Sequence, residues 1–377
     1  MRVAVVAEFY PRRHDPVLGV WAHRQALAAR DAGAELSVFV LHRVVPPRRE
    51  LSALVALARQ PSLEDLDGLP VRYVRYLSPP RGRGYARWGA WAAPALGRTL
   101  RRAGPFDLVH AHNAVPAGDA VMRCALGIPL VTSVHGGDVL WTNSRVPGGA
   151  AAVERVLGGS ALVLANSAGI ERLAVAHGAQ QTRVVHLGSD LPTEPSAAAR
   201  PPLIVTVGHL VARKRHGDVL EALAELPGVR YLVIGAGPER GPLERLARLL
   251  GVADRVEFAG QLAPAAAALR AREAWCFVMP STEEAFGVAY IEAMAGGVPA
   301  IGCAGEPGPE EIAAAGGGIE LVEPGAPSAL AACLRELLGD PDRRRALGTA
   351  ARATVEREFT WERCGERTVA AYAQVLR

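Results

Sequence analysis

Short runs of consecutive apolar residues recur along the chain, and most are followed by a stretch with the apolar spacing of an amphipathic helix. Runs that are apolar throughout are typical of strands covered on both faces. Strands that alternate with helices predict parallel sheets in an α/β layer architecture. In the first half of the chain these runs lie at residues 2–7, 35–41, 107–112, 129–138, 161–167 and 183–190.

The alternation is interrupted at residues 191–202, which contain four prolines and no periodic apolar pattern. This composition predicts a linker. A chain of 377 residues is also longer than one typical core requires. We therefore predict two doubly wound domains, an N-terminal one at 1–190 and a C-terminal one at 203–358.

The composition narrows the class of protein. Half of the residues are hydrophobic, but no run of about 18 apolar residues exists, so no membrane-spanning helix is predicted. Residues 1–11 resemble a first strand more than a signal peptide. The five cysteines are scattered, without a CxxC spacing, which is typical of reduced thiols. A cytoplasmic protein is the expectation.

Positive charge is concentrated in the first hundred residues. Between Arg12 and Arg102 there are 16 arginines and seven acidic residues, an excess of nine positive charges. Residues 78–91 add Tyr85, Trp88 and Trp91 to this charge. The segment is either a solvated basic loop that leads into a helix or a face that meets anionic lipid headgroups or an anionic acceptor. Nucleic acid is disfavoured, because no nucleic-acid motif accompanies the charge.

Two glutamates, Glu284 and Glu292, stand eight positions apart around the end of a predicted strand at 274–280. A polar loop would carry Glu284, and a helix starting at Gly287 would carry Glu292. Loops at the carboxyl ends of parallel strands bind ligands, and a helix N-terminus favours phosphate. By spacing alone the two could be an acid/base pair, a hydroxyl-binding pair or a helix-surface pair.

Lys214 is the single lysine among 42 lysine and arginine residues. In so arginine-rich a chain, this lysine is a candidate for a site that needs a compact ammonium group. It lies in a loop after another predicted strand, with Gly208, Arg213, Arg215 and His216 nearby. The loop is either a solvated basic turn or a cradle for a diphosphate.

Other motifs carry weaker signals. Gly235 and Gly237 provide only two glycines of a dinucleotide fingerprint, which disfavours a dehydrogenase. His110, His112 and His135 follow the strand pattern of the first half without a carboxylate or cysteine cluster. Loop histidines are therefore a better interpretation than metal ligands, and one of them could contact a reacting sugar.

Seven segments of the chain resemble, in order and spacing, motifs of the family 4 retaining glycosyltransferases. They are residues 107–118, 129–139, 163–167, 208–214, 233–239, 280–302 and 318–340. The resemblance covers essentially the whole chain. It implies the GT-B fold, in which two Rossmann-like parallel-sheet domains face an interdomain cleft that closes about the linker. Residues 359–377 resemble the closing helix of the family, which packs back toward the N-terminal domain.

The resemblance also implies roles for residues of the donor site. Glu284 matches the glutamate that holds hydroxyls of the donor sugar, and Glu292 matches the one that binds the nucleotide ribose. Lys214 matches the lysine that contacts the donor diphosphate. Backbone amides at Phe286 and Gly287 would add to that phosphate site.

Further matches lie at other loops. Gly19 corresponds to the glycine loop of the N-terminal domain near the phosphates, and His135 to the histidine close to the transferred sugar. Two departures stand out. His209 replaces the arginine that usually follows the glycine corresponding to Gly208, so Arg213 or Arg215 would supply the guanidinium. In the first loop, Val20 stands where many members have a second glycine.

The function implied is transfer of a hexosyl unit from a nucleotide-diphosphate sugar to a saccharide, lipid-linked or small-molecule acceptor. The family retains the anomeric configuration and uses no metal or other cofactor, so the glutamates would bind and orient rather than act as acid and base. The basic region at 81–102 adds the hypothesis of peripheral contact with an anionic inner membrane face. Two alternatives remain open: a nucleotide-sugar epimerase on the same fold and a non-catalytic glycosyltransferase-like subunit.

Overall fold

The computed structural model describes residues 1–13, 15–44, 55, 59–193 and 199–377. The chain forms two compact units. The first unit comprises Met1–Leu187 and Trp361–Arg377, and the second comprises Gly188–Thr360. Part of the predicted linker, residues 194–198, lies outside the described residues.

The first unit is built on a sheet with the strand order β3-β4-β2-β1-β5-β6-β7-β8 in the described part of the chain. Neighbouring strands are parallel, except that β3 pairs with β4 in the antiparallel sense. The strands are β1 (Arg2–Ala7), β2 (Glu35–Arg43), β3 (Leu63–Leu66), β4 (Leu69–Tyr76), β5 (Leu108–His112), β6 (Leu130–Val134), β7 (Leu162–Ala165) and β8 (Thr182–Val184).

Helices cover this sheet. Those preceding β8 are α1 (Val20–Asp31), α2 (Arg81–Gly84), α3 (Trp88–Ala103), α4 (Asp119–Cys124), α5 (Asn143–Arg145), α6 (Gly149–Gly159) and α7 (Ala168–Ala176). The last helix of the chain, Trp361–Val375, also belongs to this unit. Its Tyr372 joins the same buried core as Ala22 and Ala26 of α1, so α1 and the last helix share one apolar face.

The second unit contains a parallel sheet with the order β11-β10-β9-β12-β13-β14 among the described residues. Its strands are β9 (Leu203–Val207), β10 (Arg230–Ile234), β11 (Val256–Gly260), β12 (Cys276–Val278), β13 (Ala300–Cys303) and β14 (Ile319–Val322). Its helices are α8 (His216–Ala224), α9 (Arg240–Leu249), α10 (Pro264–Arg272), α11 (Val288–Ala295), α12 (Pro307–Gly316), α13 (Pro327–Gly339) and α14 (Pro341–Glu358), and the last helix of the chain is therefore α15.

Buried, mainly apolar strands form the centre of each sheet. Every residue of β5, β6 and β12 is buried, as strands covered on both faces require. The prediction of parallel α/β sheets is therefore confirmed. The sequence pattern missed the antiparallel hairpin β3–β4, although Asp67-Gly68 at its turn is a known hairpin signal.

Gly19 shows why the first loop of the chain needs a glycine. It is the N-cap residue of α1 and has a φ of 66°, in the left-handed region. A Cβ atom at this position would overlap the backbone of Phe9, which directly follows Glu8 at the end of β1. The loop between β1 and α1 therefore folds back closely on itself.

Candidate active site

Two loops of the second unit meet at the carboxyl edge of its sheet. Strands β9 and β12 are parallel neighbours, so the loops that follow them emerge at the same edge. The loop after β9 carries Lys214, and the loop after β12 carries Glu284. This topology brings together two residues that are 70 positions apart.

Lys214 and Glu284 form a buried ion pair. The distance from Lys214 Nζ to Glu284 Oε2 is 2.5 Å, and each side chain is only 10% exposed. Ser281 Oγ donates a second hydrogen bond to Glu284 Oε2 at 2.9 Å, and Lys214 Nζ also lies 3.3 Å from Met279 Sδ. Burial by itself raises the pKa of Glu284, but the charge and hydrogen bond of Lys214 outweigh burial and lower it below its usual value.

Arg213, rather than Arg215, faces this pair. The Arg213 guanidinium lies 3.9 Å from Glu284 Oε2 and donates to the Glu283 carbonyl oxygen at 3.4 Å. Arg215 instead binds both carboxylate oxygens of Asp218, at 2.7 and 3.1 Å. Of the two arginines considered as substitutes for the one that His209 replaces, the structure places Arg213 at the pair.

Gly208 and His209 lie at the end of β9 but differ in their contacts. A Cβ atom at Gly208 would sit 3.6 Å from Lys214 Cε, so the glycine leaves room beside the lysine. The His209 side chain is exposed. Its carbonyl oxygen accepts from the Val211 backbone N–H at 2.9 Å and lies 3.3 Å from His216 Nε2.

The loop after β12 ends at a helix N-terminus, as predicted. Gly287 is the N-cap of α11 with a φ of 90°, and a Cβ there would overlap the ring of Tyr290. Phe286 is buried and packs edge-to-face on Phe359, with ring centroids 5.5 Å apart. The first backbone N–H groups of α11 have no partner within the helix, which makes this end suitable for an anion.

Glu306 was not foreseen from the sequence. It follows β13, the neighbour of β12, and its Oε2 accepts a hydrogen bond from the Glu284 backbone N–H at 2.7 Å. It therefore fixes the loop that presents the Glu284 carboxylate. Its position at the carboxyl edge of a strand was the available signal, but no local pattern connected it to Glu284.

Glu292 lies elsewhere and has a different partner from Glu284. It is half-buried in the middle of α11, and its charge interacts with Arg272, which also donates to the Glu292 carbonyl oxygen at 3.4 Å. The two glutamates therefore interact with different cations, Glu284 with Lys214 and Glu292 with Arg272.

Three histidines form a row of rings in the first unit. His110 and His112 lie within β5 and are not loop residues as predicted, whereas His135 follows β6. His112 Nδ1 and His135 Nε2 are 3.0 Å apart and their rings are parallel, while His110 is bound by Tyr372 Oη and Ser133 Oγ, each at 2.7 Å. Burial lowers the pKa of His110 to about 3 and that of His135 to about 4.

The row leaves two buried nitrogens without a hydrogen-bond partner, His112 Nε2 and His135 Nδ1. Trp21, two residues after Gly19, packs edge-to-face on His135 with ring centroids 6.1 Å apart. Across the described residues, no group of three His, Cys, Asp or Glu side chains is arranged to hold a metal ion.

Two family models match the chain in succession. "Glycosyltransferase Family 4" matches residues 18–192, and "Glycosyl transferases group 1" matches residues 191–354. A GDP-mannose-dependent monoacylated alpha-(1-6)-phosphatidylinositol monomannoside mannosyltransferase of Corynebacterium glutamicum is 30% identical over 67% of this chain and 72% of its own. A D-inositol 3-phosphate glycosyltransferase of Segniliparus rotundus is 31% identical over 72% of this chain and 67% of its own.

Solved structures match nearly the full length. Sucrose-phosphate synthase from Thermosynechococcus elongatus aligns with a TM-score of 0.81 at 21% identity, over 100% of this chain and 99% of its own. Anabaena Alr3699/HepE in complex with UDP and glucose aligns with a TM-score of 0.76 at 20% identity, over 99% of each chain.

The two parallel-sheet units and their match to these structures define a protein of the GT-B class. The chain belongs to the family 4 glycosyltransferases, which confirms the resemblance seen in its motifs. Within the described ranges, none of the helices combines the length and the hydropathy of a membrane-spanning segment.

Proposed function

We propose that the chain is a retaining glycosyltransferase that moves a hexosyl unit from a nucleotide-diphosphate sugar to a saccharide, lipid-linked or small-molecule acceptor. The observation that supports this most is the Lys214–Glu284 pair beside the N-terminus of α11. It combines a compact cation, a carboxylate and the N-terminus of a helix at one edge of the second unit. These are the groups that a sugar diphosphate needs.

Lys214, Arg213 and the amides at Phe286 and Gly287 are assigned to the diphosphate. Negative charge develops on this leaving group as the glycosidic bond to the donor breaks. Fixed cations and a helix N-terminus stabilise such charge without rearranging during the reaction. We therefore assign the neutralisation of the leaving group to these residues, with no metal ion or other cofactor.

Glu284 is assigned to hydroxyl groups of the donor sugar and Glu292 to those of the ribose. An ionised carboxylate accepts hydrogen bonds from two hydroxyls, and Lys214 holds Glu284 in this form. A lowered pKa makes Glu284 a poor general acid at neutral pH, which argues against a hydrolytic pair of carboxylates. The donor phosphate is the base expected for the acceptor hydroxyl in a front-face reaction that retains configuration.

The family motifs add four further residues to the proposed donor site: Gly19, His135, Gly208 and His209. His135 has a buried nitrogen, Nδ1, without a hydrogen-bond partner, which suits contact with a sugar hydroxyl. The tight loop at Gly19 would bring backbone amides near the phosphates.

The proposed transferase activity is tested first with a thermal-shift panel of nucleotide sugars. The panel includes GDP-mannose, which is named for the mannosyltransferase relative, and UDP-glucose, which is named for HepE. We expect selective stabilisation by one donor, transfer to an added polyol or glycoside, and an α-linked product from an α-linked donor by NMR. Conversion of donor without acceptor into an epimer would support the epimerase alternative. Unchanged donor in every mixture would support the non-catalytic one.

Glu292→Gln is expected to raise the KM for donor about tenfold, with little change in kcat, because a ribose contact is the same in ground and transition states. Glu356→Gln, at an exposed position of α14, is the matched control and should leave both constants unchanged. Loss of kcat at unaltered donor affinity would instead assign Glu292 to the chemical step.

We also propose peripheral contact with the anionic cytoplasmic face of a membrane. A groove of about 370 Å³ between β4 and α3 is lined by four arginines, Arg72, Arg75, Arg98 and Arg102. One helical face of α3 continues from Arg102 and Arg98 to Trp91, whose side chain is 52% exposed. An exposed tryptophan beside guanidinium groups is typical of a surface that meets phospholipid headgroups.

Vesicle sedimentation tests this contact. The protein should bind phosphatidylcholine vesicles only when they contain phosphatidylglycerol. Arg98→Gln with Arg102→Gln should weaken binding about thirtyfold, because each of the two basic residues contributes about 1 kcal/mol. Replacing the exposed Arg245 and Arg248 of α9 by Gln is the control with the same change in charge. Equal, weak binding to neutral and anionic vesicles would rule the contact out.

A further inference from the structure

A polar network in the first unit is not used by the roles assigned above. Glu8 directly follows β1, at the carboxyl edge of the sheet, and its Oε2 lies 2.7 Å from the hydroxyl of Tyr85. The same hydroxyl lies 3.2 Å from the carbonyl oxygen of Val115. The backbone N–H of Val115 in turn donates to Asp138 Oδ1 at 3.3 Å.

One oxygen of Glu8 is occupied in either protonation state. When Glu8 is ionised, Tyr85 donates its hydrogen to Oε2. When Glu8 is protonated, Oε2 can donate to Tyr85, whose hydrogen then goes to Val115. Both arrangements are consistent with burial, which raises the pKa of Glu8 against the opposing charge of Arg81. In both, Oε1 remains an acceptor.

Oε1 has no hydrogen-bond partner among the described residues, and Glu8 retains 8% of its surface. Beside it, the ring of Phe9 lies 6.4 Å from that of Trp21, which in turn packs on His135. Trp21 Nε1 is buried and has no partner either. The segment from Glu8 to Trp21 therefore carries an acceptor oxygen and an N–H donor without partners, next to the successive rings of Phe9, Trp21 and His135. The Arg81 guanidinium lies 5.6 Å from the centroid of the Phe9 ring.

Buried polar atoms without partners are rare in folded proteins, and they mark places where a ligand or ordered water completes the hydrogen bonding. A hydroxyl group both donates and accepts, so adjacent hydroxyls on one ring match a carboxyl oxygen and an indole N–H together. Rings with an apolar face suit the aromatic rings of Phe9 and Trp21, because binding pockets combine aromatic surface with a few well-placed polar groups.

We propose that Glu8 Oε1 and Trp21 Nε1–H bind hydroxyl groups of the acceptor, which is therefore a polyhydroxylated ring, a sugar or a cyclitol, lying against Phe9 and Trp21. Tyr85 is a positioning residue, since it holds Oε2 and so turns Oε1 toward the acceptor. The assignment rests on the proposed function, because it gives the acceptor of that reaction its binding residues.

The test compares acceptor and donor constants in three variants. The acceptor is whichever of myo-inositol, D-inositol 3-phosphate and methyl α-mannoside gives product with the wild type. Glu8→Gln should raise the KM for acceptor tenfold or more, since it exchanges a charged acceptor for a neutral amide, and Trp21→Phe should raise it several-fold. Donor KM and the hydrolysis of donor without acceptor should stay within twofold of wild type. Tyr85→Phe should raise the acceptor KM while donor hydrolysis is unchanged.

Two controls remove the same groups elsewhere in the first unit. Trp88→Phe deletes an N–H that donates to the Pro79 carbonyl oxygen at 3.0 Å, and Glu35→Gln changes an exposed carboxylate paired with Arg2. Both should keep the wild-type acceptor KM. The proposal is overturned if Glu8→Gln and Trp21→Phe turn over the donor and keep the wild-type KM for acceptor. It is also overturned if the wild type turns over a donor but uses none of the three polyols as acceptor. A wild type that neither binds nor hydrolyses any donor contradicts the proposed function instead.

Discussion

Lys214→Met is expected to lower kcat/KM for the donor by a factor of about 10³, because removing a preorganised cation from a developing anion typically costs a factor of 10² to 10³. The variant also leaves Glu284 buried without its partner, since the two side chains are each 10% exposed. Breaking a buried pair on one side destabilises a protein by about 3 to 5 kcal/mol. Both activity and stability should therefore fall.

The double variant Lys214→Met with Glu284→Gln separates these two effects. It removes the unpaired carboxylate, so the free energy of unfolding should return to within about 1 kcal/mol of wild type. Activity should not return, because neither the cation nor the carboxylate is present for the donor. Recovery of turnover in the double variant would show that Lys214 serves only to neutralise Glu284.

Lys214→Arg keeps the positive charge but should still lose at least about tenfold in kcat/KM, because a planar guanidinium does not replace a compact ammonium group. The space is confined by Met279 Sδ and by Glu284 Oε2, 3.3 and 2.5 Å from Nζ. A variant with wild-type activity would mean that any cation suffices at this position.

The contact between Lys214 and the donor can be measured directly by NMR. Protein grown with lysine labelled at the ε-carbon gives a single labelled side chain, because the chain contains one lysine. Its NMR signal should move when the nucleotide sugar is added at saturation, since the ammonium exchanges Glu284 for phosphate. A signal that stays in place while thermal shift reports donor binding would separate Lys214 from the diphosphate.

Local patterns were sufficient for the strands and the helix starts of this chain. Residues of β5, β6 and β12 are mostly apolar and all buried, because helices cover both faces of each sheet. Gly287 marks a helix start that no other residue type fits well. Lys214 and Glu284 could each be predicted as loop residues after a strand. Their roles toward a donor stay predictions.

The contacts between these loops could not be predicted from local signals. The Lys214–Glu284 pair depends on β12 lying beside β9, and the Glu306 bond depends on β13 lying beside β12. Strand order is a property of the whole sheet and has no signature in either loop. Glu8 was missed for the same reason, since Tyr85, which holds it, is 77 residues away.

Lowering the pH from 8 to 5 is expected to remove about 5 kcal/mol from the free energy of unfolding, a large part of the total for a typical domain. Burial lowers the pKa of five histidines: His110 to about 3, His135 and His216 to about 4, His112 well below its usual value and His23 below its usual value. Each folded-state pKa lies below the unfolded value, so the unfolded chain takes up protons that the folded protein refuses.

Acidification therefore lowers the free energy of unfolding. The stability that neutral histidines contribute is complete above about pH 7 and is lost as the pH falls from about 6.5, the unfolded pKa, toward the folded values. At pH 5 this loss is about 2 kcal/mol for each of His110, His135 and His216, whose folded-state pKa values are about 3 to 4. Burial raises the pKa of Asp138 to about 6, and proton uptake by this acid stabilises the folded state by about 1 kcal/mol over the same interval. Burial also raises the pKa of Glu8, which acts in the same direction. The histidines outweigh them.

His216→Asn and Thr206→Val form a matched pair for this prediction. His216 Nδ1 and Thr206 Oγ1 both contact the hydroxyl of Tyr231, at 3.2 and 2.8 Å, so each variant removes one bond from the same buried group. Urea unfolding at pH 8 should show that both are less stable than wild type. Between pH 8 and pH 5, however, His216→Asn should lose about 2 kcal/mol less than wild type, because the titrating group is gone, whereas Thr206→Val should lose as much as wild type. Equal losses in the two variants would mean that His216 takes up its proton in the folded protein, and the buried imidazoles would then not be the groups that make this protein sensitive to acid.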